Sequence, residues 1–384
     1  MIKKEDMMSD KVQIFCSPLG MYSLYRGDYI ISVLRDDGSL DEKRLTAMVQ
    51  YIANMGANAM RDFYWIDSKS AYEKISPFWY RSGDLGFNHA YFQNQRRIAV
   101  ICKAHGVRYY ISLFDHCGTK GYAKSWNPWR YFNDFFYGED ARSARHQYIK
   151  ILLDVMHGLD YGIEICNEPK PGQAEFLADT FLNVFLKGFD PAKIILGLDY
   201  FLKERNPAYG NDYRNLNTKV AEELGADWDR GLMLSCLFPV HNTTMERIQE
   251  LWGPRPRPGG DRRILYSTDG VRPRPNRGIM HKLSTFILET KSRAREKDKV
   301  HFEVVLGKQN EDPLDSVTGV AEAYKDIFGT YPANYGKYPD AVFPVEFSEG
   351  VEGLEPEKRS IEERVDQLEW RVLELETKIK SLEK

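Results

Sequence analysis

The sequence predicts an α/β fold: a (β/α)8 barrel of the TIM type, followed by a C-terminal α-helical coiled coil. Three observations carry this expectation. Short apolar runs alternate with longer amphipathic ones eight times between residues 29 and 327. Alternating βα units imply a parallel sheet, and eight of them imply a closed one. The chain has 384 residues with 42% hydrophobic content, enough for a large core and for one barrel of about 250 residues with chain to spare. The last stretch then abandons this alternation for a heptad spacing. A doubly wound open sheet is the runner-up, but no GxGxxG follows any strand-like run.

The elements follow in order. A first strand is expected at Tyr29 to Arg35 and a helix from Asp41 to Met55, with Asp41 as its cap and Gly56 as its stop. Ala57 to Phe63 reads as the second strand, and Asn88 to His105 as the helix that Gly106 ends. Val107 to Phe114 has the β-branched and aromatic content of a buried strand. A helix from Ala141 to His157 precedes the fourth strand, Tyr161 to Asn167. The fifth to eighth strands are placed at Lys193 to Leu198, Leu232 to Phe238, Arg263 to Thr268 and Val300 to Leu306. Helices at Gln173 to Lys187, Thr218 to Leu224, Thr244 to Trp252, Met280 to Glu296 and Ser316 to Ile327 complete the repeats.

The domain layout expected from this is a lead-in over 1–24, the barrel over 25–330, a connector over 331–357 and a helix over 358–384. Within that helix, Ile361, Val365, Leu368, Val372, Leu375, Ile379 and Leu382 alternate at spacings of four and three. Valine and isoleucine at a, leucine at d, and attractive g–e pairs such as Arg364–Glu369 favour a parallel homo-oligomer through residues 361–382. The Arg-Val-x-x-Leu-Glu repeats lean to a trimer, with a dimer as the alternative.

Charge excludes some function classes. Lys plus Arg number 53 and Asp plus Glu 56. The net charge of −3 is all accounted for by residues 351–384, which leaves a neutral body. A dedicated nucleic-acid binder would carry a basic excess, so no nucleic-acid partner is expected. No run of 18 apolar residues occurs, so no membrane partner is expected either. The N-terminus lacks the apolar core of a signal peptide, which leaves cytoplasmic, lysis-released and virion-borne settings open. Cys16, Cys102, Cys117, Cys166 and Cys236 are dispersed without CxxC spacing and read as reduced thiols. No HExxH, Walker motif or metal cluster is present, so neither metal nor cofactor is expected.

In a barrel, chemistry sits where the strands end. The second strand ends with Arg61, the third with Asp115-His116, the fourth with Asn167-Glu168-Pro169 and the fifth with Asp199-Tyr200. The sixth ends with His241-Asn242, the seventh with Asp269-Gly270, and the eighth leads into Lys308 to Glu311. Ile165-Cys-Asn-Glu-Pro169 resembles the Asn-Glu-Pro signature of clan A glycoside hydrolases, nearest to family 5. Gly56-Ala-Asn-Ala-Met-Arg61 is similar to the second-strand motif of the same clan. The resemblance covers roughly residues 25 to 330. It implies a glycoside hydrolase with Glu168 as general acid/base, Asn167 on the sugar 2-hydroxyl and Arg61 in support of the nucleophile. His116 and His241 correspond more loosely to clan histidines after the third and sixth strands.

Glycoside hydrolysis needs two carboxyl groups flanking the bond, one of them protonated. The second is where the sequence departs from the clan, which carries Glu at the end of the seventh strand. Here that position is Asp269, one methylene shorter. The carboxylate is pulled back by about 1.5 Å. Three readings stand: Asp269 is the nucleophile, it is the base of an inverting enzyme, or another group serves. Glu303 and Glu164 share the inward parity of their strands and are expected to pair with Arg61 inside the barrel. Val345-Glu-Phe347 looks like a nucleophile motif but lies past the eighth repeat.

Trp65, Trp126 and Trp129 offer aromatic faces for sugar rings, or else pack the loops, and Tyr200 joins the candidate substrate-binding set. Arg272, with Arg274 and Arg277, could recognise carboxylated or sulfated sugars, the alternative being a solvated loop. The expected function is cleavage of a poly- or oligosaccharide. The rivals are a non-catalytic oligomeric carbohydrate-binding or adhesin barrel, whose several weak sites would act through avidity, and a polysaccharide lyase.

Overall fold

The structure is a computed structural model. It describes residues 13–18, 21–22, 32–62, 75–81, 84–114, 136, 138–167, 169, 173–197, 207–225, 232–237, 263–267, 299–306, 321, 324–325 and 329–335. The chain divides into two compact units, Met1–Asp340 and Ala341–Lys384, and every described residue lies in the first. The helix expected over 358–384, with its oligomer seam, lies outside the described residues.

Ten strands are described. They are β1 (Ile14–Pro18), β2 (Ala59–Asp62), β3 (Phe78–Arg81), β4 (Asp84–Phe87), β5 (Arg108–Ser112), β6 (Tyr161–Glu164), β7 (Ile194–Gly197), β8 (Met233–Leu237), β9 (Arg263–Ser267) and β10 (Lys299–Leu306). The described helices are α1 (Glu42–Asn54), α2 (His89–Ala104), α3 (Glu139–Val155), α4 (Ala174–Phe185) and α5 (Pro207–Leu224). β1, β2 and β5 to β10 close a barrel in chain order, every neighbouring pair parallel. β3 and β4 form a separate antiparallel hairpin that the alternation did not announce.

Seven of the eight barrel strands lie where the apolar runs put them. The first does not: it is β1 at Ile14–Pro18, inside the stretch expected as a lead-in, rather than Tyr29 to Arg35. Leu34 instead makes an isolated antiparallel bridge with Leu40. A turn produces it, with the Arg35 N–H donating to Ser39 O and Gly38 at φ +84°. A tight turn returns the chain antiparallel, whereas a parallel barrel neighbour needs a crossover of a dozen residues or more. Ile14–Pro18 has that crossover through α1, and all five of its residues are buried between β10 and β2.

Local chemistry explains the α1–β2 junction. Asp41 caps α1, its side chain accepting from the Arg44 N–H, which satisfies one of the orphan donors of the first turn. Gly56 stops the helix at φ +92°. Two residues on, Asn58 stitches three strands together. Its Oδ1 accepts from the Ile14 N–H (2.8 Å), its own N–H donates to Ile14 O, and its carbonyl accepts from the Arg108 N–H. α5 runs from Pro207, well before the expected start at Thr218.

The barrel interior is apolar through its middle, where Phe15, Ala59, Tyr110, Ile195, Met233 and Leu265 pack together. β6 has a glycine in this region, and the Tyr110 ring fills the space a Gly162 side chain would take. Outside the barrel, Phe78, Phe92, Tyr91, Phe114 and Tyr148 make a contiguous aromatic layer joining the hairpin, α2, α3 and the end of β5. These aromatic side chains belong to the core.

Candidate active site

Two residues towards the C-terminal ends of the strands, the barrel lining turns polar. Ser17 on β1, Arg61 on β2, Ser112 on β5, Glu164 on β6, Ser235 on β8 and Glu303 on β10 are all buried. Period-two alternation accounts for the set: each of Ser17, Arg61, Ser112 and Ser235 lies two residues beyond an apolar core residue of its own strand. Arg61, at 1% exposure, is the hub. It donates from Nε to Glu303 Oε1 (2.9 Å) and from Nη2 to Glu303 Oε2 (2.6 Å), a two-pronged fork. Its Nη1 donates to Glu164 Oε1 and also to Asn167 Oδ1 (3.2 Å).

The carboxylates are held from their other sides. The Ser17 hydroxyl donates to Glu303 Oε1 (2.5 Å) while its oxygen accepts from the Arg61 backbone N–H (3.1 Å). Ser112 donates to Glu164 Oε2. The pairing of Glu164 and Glu303 with Arg61, expected from strand parity, is present. Both carboxylates have 0% exposure, so neither can meet a substrate. One guanidinium faces two carboxylates here. Burial pushes the Glu164 carboxyl above its ordinary value and the Glu303 charge adds to that, against the pull of Arg61 and Ser112.

Asn167 lies three residues past the end of β6, is 3% exposed, and its N–H donates to Phe114 O (2.8 Å). Arg61 can only donate, so its contact identifies the Asn167 oxygen and turns the amide's NH2 away from the guanidinium. Cys166 and Pro169, on either side of Asn167, lie against β7. A Cβ built at Gly197 would lie 2.3 Å from Cys166 O and 3.2 Å from Pro169 Cδ. A side chain there would collide with the backbone that carries Asn167. Cys16, Cys102 and Cys166 are buried thiols outside any disulfide, and burial raises the Cys16 and Cys102 thiols.

Of the residues singled out from sequence, Arg61 and Asn167 are described, and the structure brings their side chains together. Glu168, Asp269, His116, His241, Tyr200, Trp65, Trp126, Trp129 and Arg272 lie outside the described residues. Four residues around the site were not singled out as parts of it. Ser17, Ser112 and Ser235 can be found by extending the inward parity of their strands. Gly197 can be found because a glycine inside a strand marks a close backbone approach.

No protein-family model matches the sequence, and no curated protein matches it. Solved structures with this fold do. The chain is similar to the endo-β-1,4-mannanase of Thermotoga petrophila, at 12% identity and a TM-score of 0.50, covering 83% of this chain and 77% of that one. It is similar to the β-mannanase of the blue mussel Mytilus edulis, at 10% identity and a TM-score of 0.50, covering 84% and 94%. At these identities the likeness is one of fold: the chain has the (β/α)8 barrel that these two enzymes have.

Proposed function

We propose that the chain is a glycoside hydrolase acting on a poly- or oligosaccharide, with Glu168 as proton donor and Asp269 as nucleophile or base. The observation that carries the reading is the Arg61 Nη1 to Asn167 Oδ1 contact. It joins the two motifs whose resemblance to clan A glycosidases was independent in sequence. The catalytic faces of barrels lie at the C-terminal ends of the strands, and Asn167 lies just past one of them. Asp269 is two residues beyond the end of β9, and Glu168 directly follows Asn167. The fold shared with two mannanases supports the same reading.

In this chemistry Glu168 gives its proton to the glycosidic oxygen as the bond to the anomeric carbon breaks. Asn167 holds the neighbouring hydroxyl. Asp269 then acts in one of two ways. With the carboxyls about 5 to 5.5 Å apart it attacks the anomeric carbon to form a glycosyl ester, which water deprotonated by Glu168 then hydrolyses, so that the product retains configuration and Asp269 is released; at about 6.5 to 9.5 Å it activates water and the product is inverted. Glu164 and Glu303, sealed against Arg61, serve neither role. Arg272 and the tryptophans Trp65, Trp126 and Trp129, with His116, His241 and Tyr200, complete the proposed cleft. Residues 361–382 are proposed to join copies of the chain, as a trimer or else a dimer.

The test is a polysaccharide panel, neutral and anionic and including β-1,4-mannan, applied to the wild type and to Glu168→Gln. The expected result is reducing-end release that falls by about 10²- to 10⁴-fold in the variant. Unchanged activity in the variant overturns the role of Glu168. Binding without cleavage by the wild type replaces the reading with a carbohydrate-binding one. The anomer formed first by the wild type, read by proton NMR, decides between the two roles of Asp269.

A further inference from the structure

We infer that Glu303, with Ser17 behind it, is a positioning residue that fixes the orientation of the Asn167 amide through Arg61. The inference rests on the glycoside-hydrolase reading for its consequence, but its geometry stands apart from that reading. A guanidinium carries five N–H donors in one rigid plane. Two of them are committed to the Glu303 fork at 2.9 and 2.6 Å. A planar group held by two parallel bonds cannot rotate about either, so where Glu303 sits sets the direction of Nη1, from which Glu164 Oε1 also accepts. Nη1 then meets Asn167 Oδ1 at 3.2 Å.

Glu303 is itself immobilised. Its Oε1 accepts from the Ser17 hydroxyl at 2.5 Å. Ser17 in turn accepts from the Arg61 backbone N–H at 3.1 Å, which ties β1 to β2 at the same level. The path from β1 to the residue past β6 therefore runs Ser17, Glu303, Arg61, Asn167, crossing the barrel interior with each step a side-chain hydrogen bond. An amide free to flip would offer a sugar hydroxyl either its oxygen or its NH2 group. Arg61 removes that choice, because oxygen alone can face the cation.

Glu303→Gln tests this, since an amide cannot accept both prongs of the fork while its size is kept. Ser17→Ala is the milder variant and leaves the fork itself in place. Each is combined with Asn167→Ala, and kcat and KM are measured on the best substrate of the panel. Glu303→Gln is expected to lower kcat/KM roughly tenfold or more, the scale of a hydrogen bond to a charged group. The double variant should be no worse than Asn167→Ala alone, because residues acting in one chain are not additive.

An independent readout is the pair of side-chain amide resonances of Asn167, identified as those that vanish in Asn167→Ala. They should move in Glu303→Gln and, less, in Ser17→Ala. A Glu303→Gln loss that multiplies with that of Asn167→Ala, or unmoved amide resonances, overturns the inference. If Glu303→Gln does not fold, Ser17→Ala decides by the same two criteria. A wild type that neither binds nor cleaves any glycan sinks the hydrolase reading, while the amide resonances still judge the positioning.

Discussion

Gly197 ends β7 against the turn that carries Asn167. A methyl group there would have to displace the Cys166 carbonyl, which is backbone and has little room to yield. Gly197→Ala is therefore expected to destabilise by roughly 1 to 3 kcal/mol, as overpacking does. It should also shift the Asn167 side-chain resonances. Chemical denaturation and the amide spectrum check this, and a variant as stable as the wild type contradicts it. The sequence made some of this neighbourhood readable and hid the rest. Glu303 and Glu164 announced themselves because charged residues among Phe302, Val304, Ile163 and Ile165 on alternating strands must find a buried partner. Gly197 between Leu196 and Leu198 marks a close approach, but its own strand does not say what approaches, because the partner comes from a different one.

At the level of elements, the ends of α1 were legible, while the start of α5 and the first barrel strand were not. Asp41 and Gly56 bracket α1 as their chemistry requires. Tyr29 to Arg35 is a stronger apolar run than Ile14–Pro18, but the turn at Asp36-Asp37-Gly38 sends Leu40 back alongside Leu34. Pairing depends on connection length more than on hydrophobicity. The hairpin of β3 and β4 escaped because it is inserted within the second βα unit, between β2 and α2, and its Phe78 packs outside the barrel, on Tyr148. Gly56 gives a sharp test of the junction. It needs φ +92°, and an added Cβ would lie 2.5 Å from the Tyr324 ring. Gly56→Ala should cost roughly 1 to 3 kcal/mol from the left-handed backbone alone, with the ring contact adding to it. An unchanged urea midpoint contradicts that account.

Across the whole molecule, the polar layer makes stability depend on pH in a particular direction. The folded Glu164 carboxyl binds its proton more tightly than an unfolded one at the ordinary value of 4.5, because burial disfavours its charge. Its contribution to folding is present in full below that value and is lost as pH rises through the raised folded value. Glu164→Gln keeps the shape and does not titrate. The wild type should therefore lose stability relative to Glu164→Gln as pH rises above the ordinary value of 4.5. Thermal melts of the two proteins above that value measure it, and a wild type that gains on the variant as pH rises contradicts it.

The proposed role of Glu168 as the acid can be tested by leaving-group dependence. An acid is needed when the leaving oxygen is a poor one and is dispensable when it is a good one. The direct measurement is kcat/KM of Glu168→Gln against the wild type on two glycosides of one sugar, one with an unactivated alcohol and one with a dinitrophenyl leaving group. The account predicts a loss of about 10²- to 10⁴-fold on the first and little loss on the second. Equal losses on both, or none on either, would contradict it.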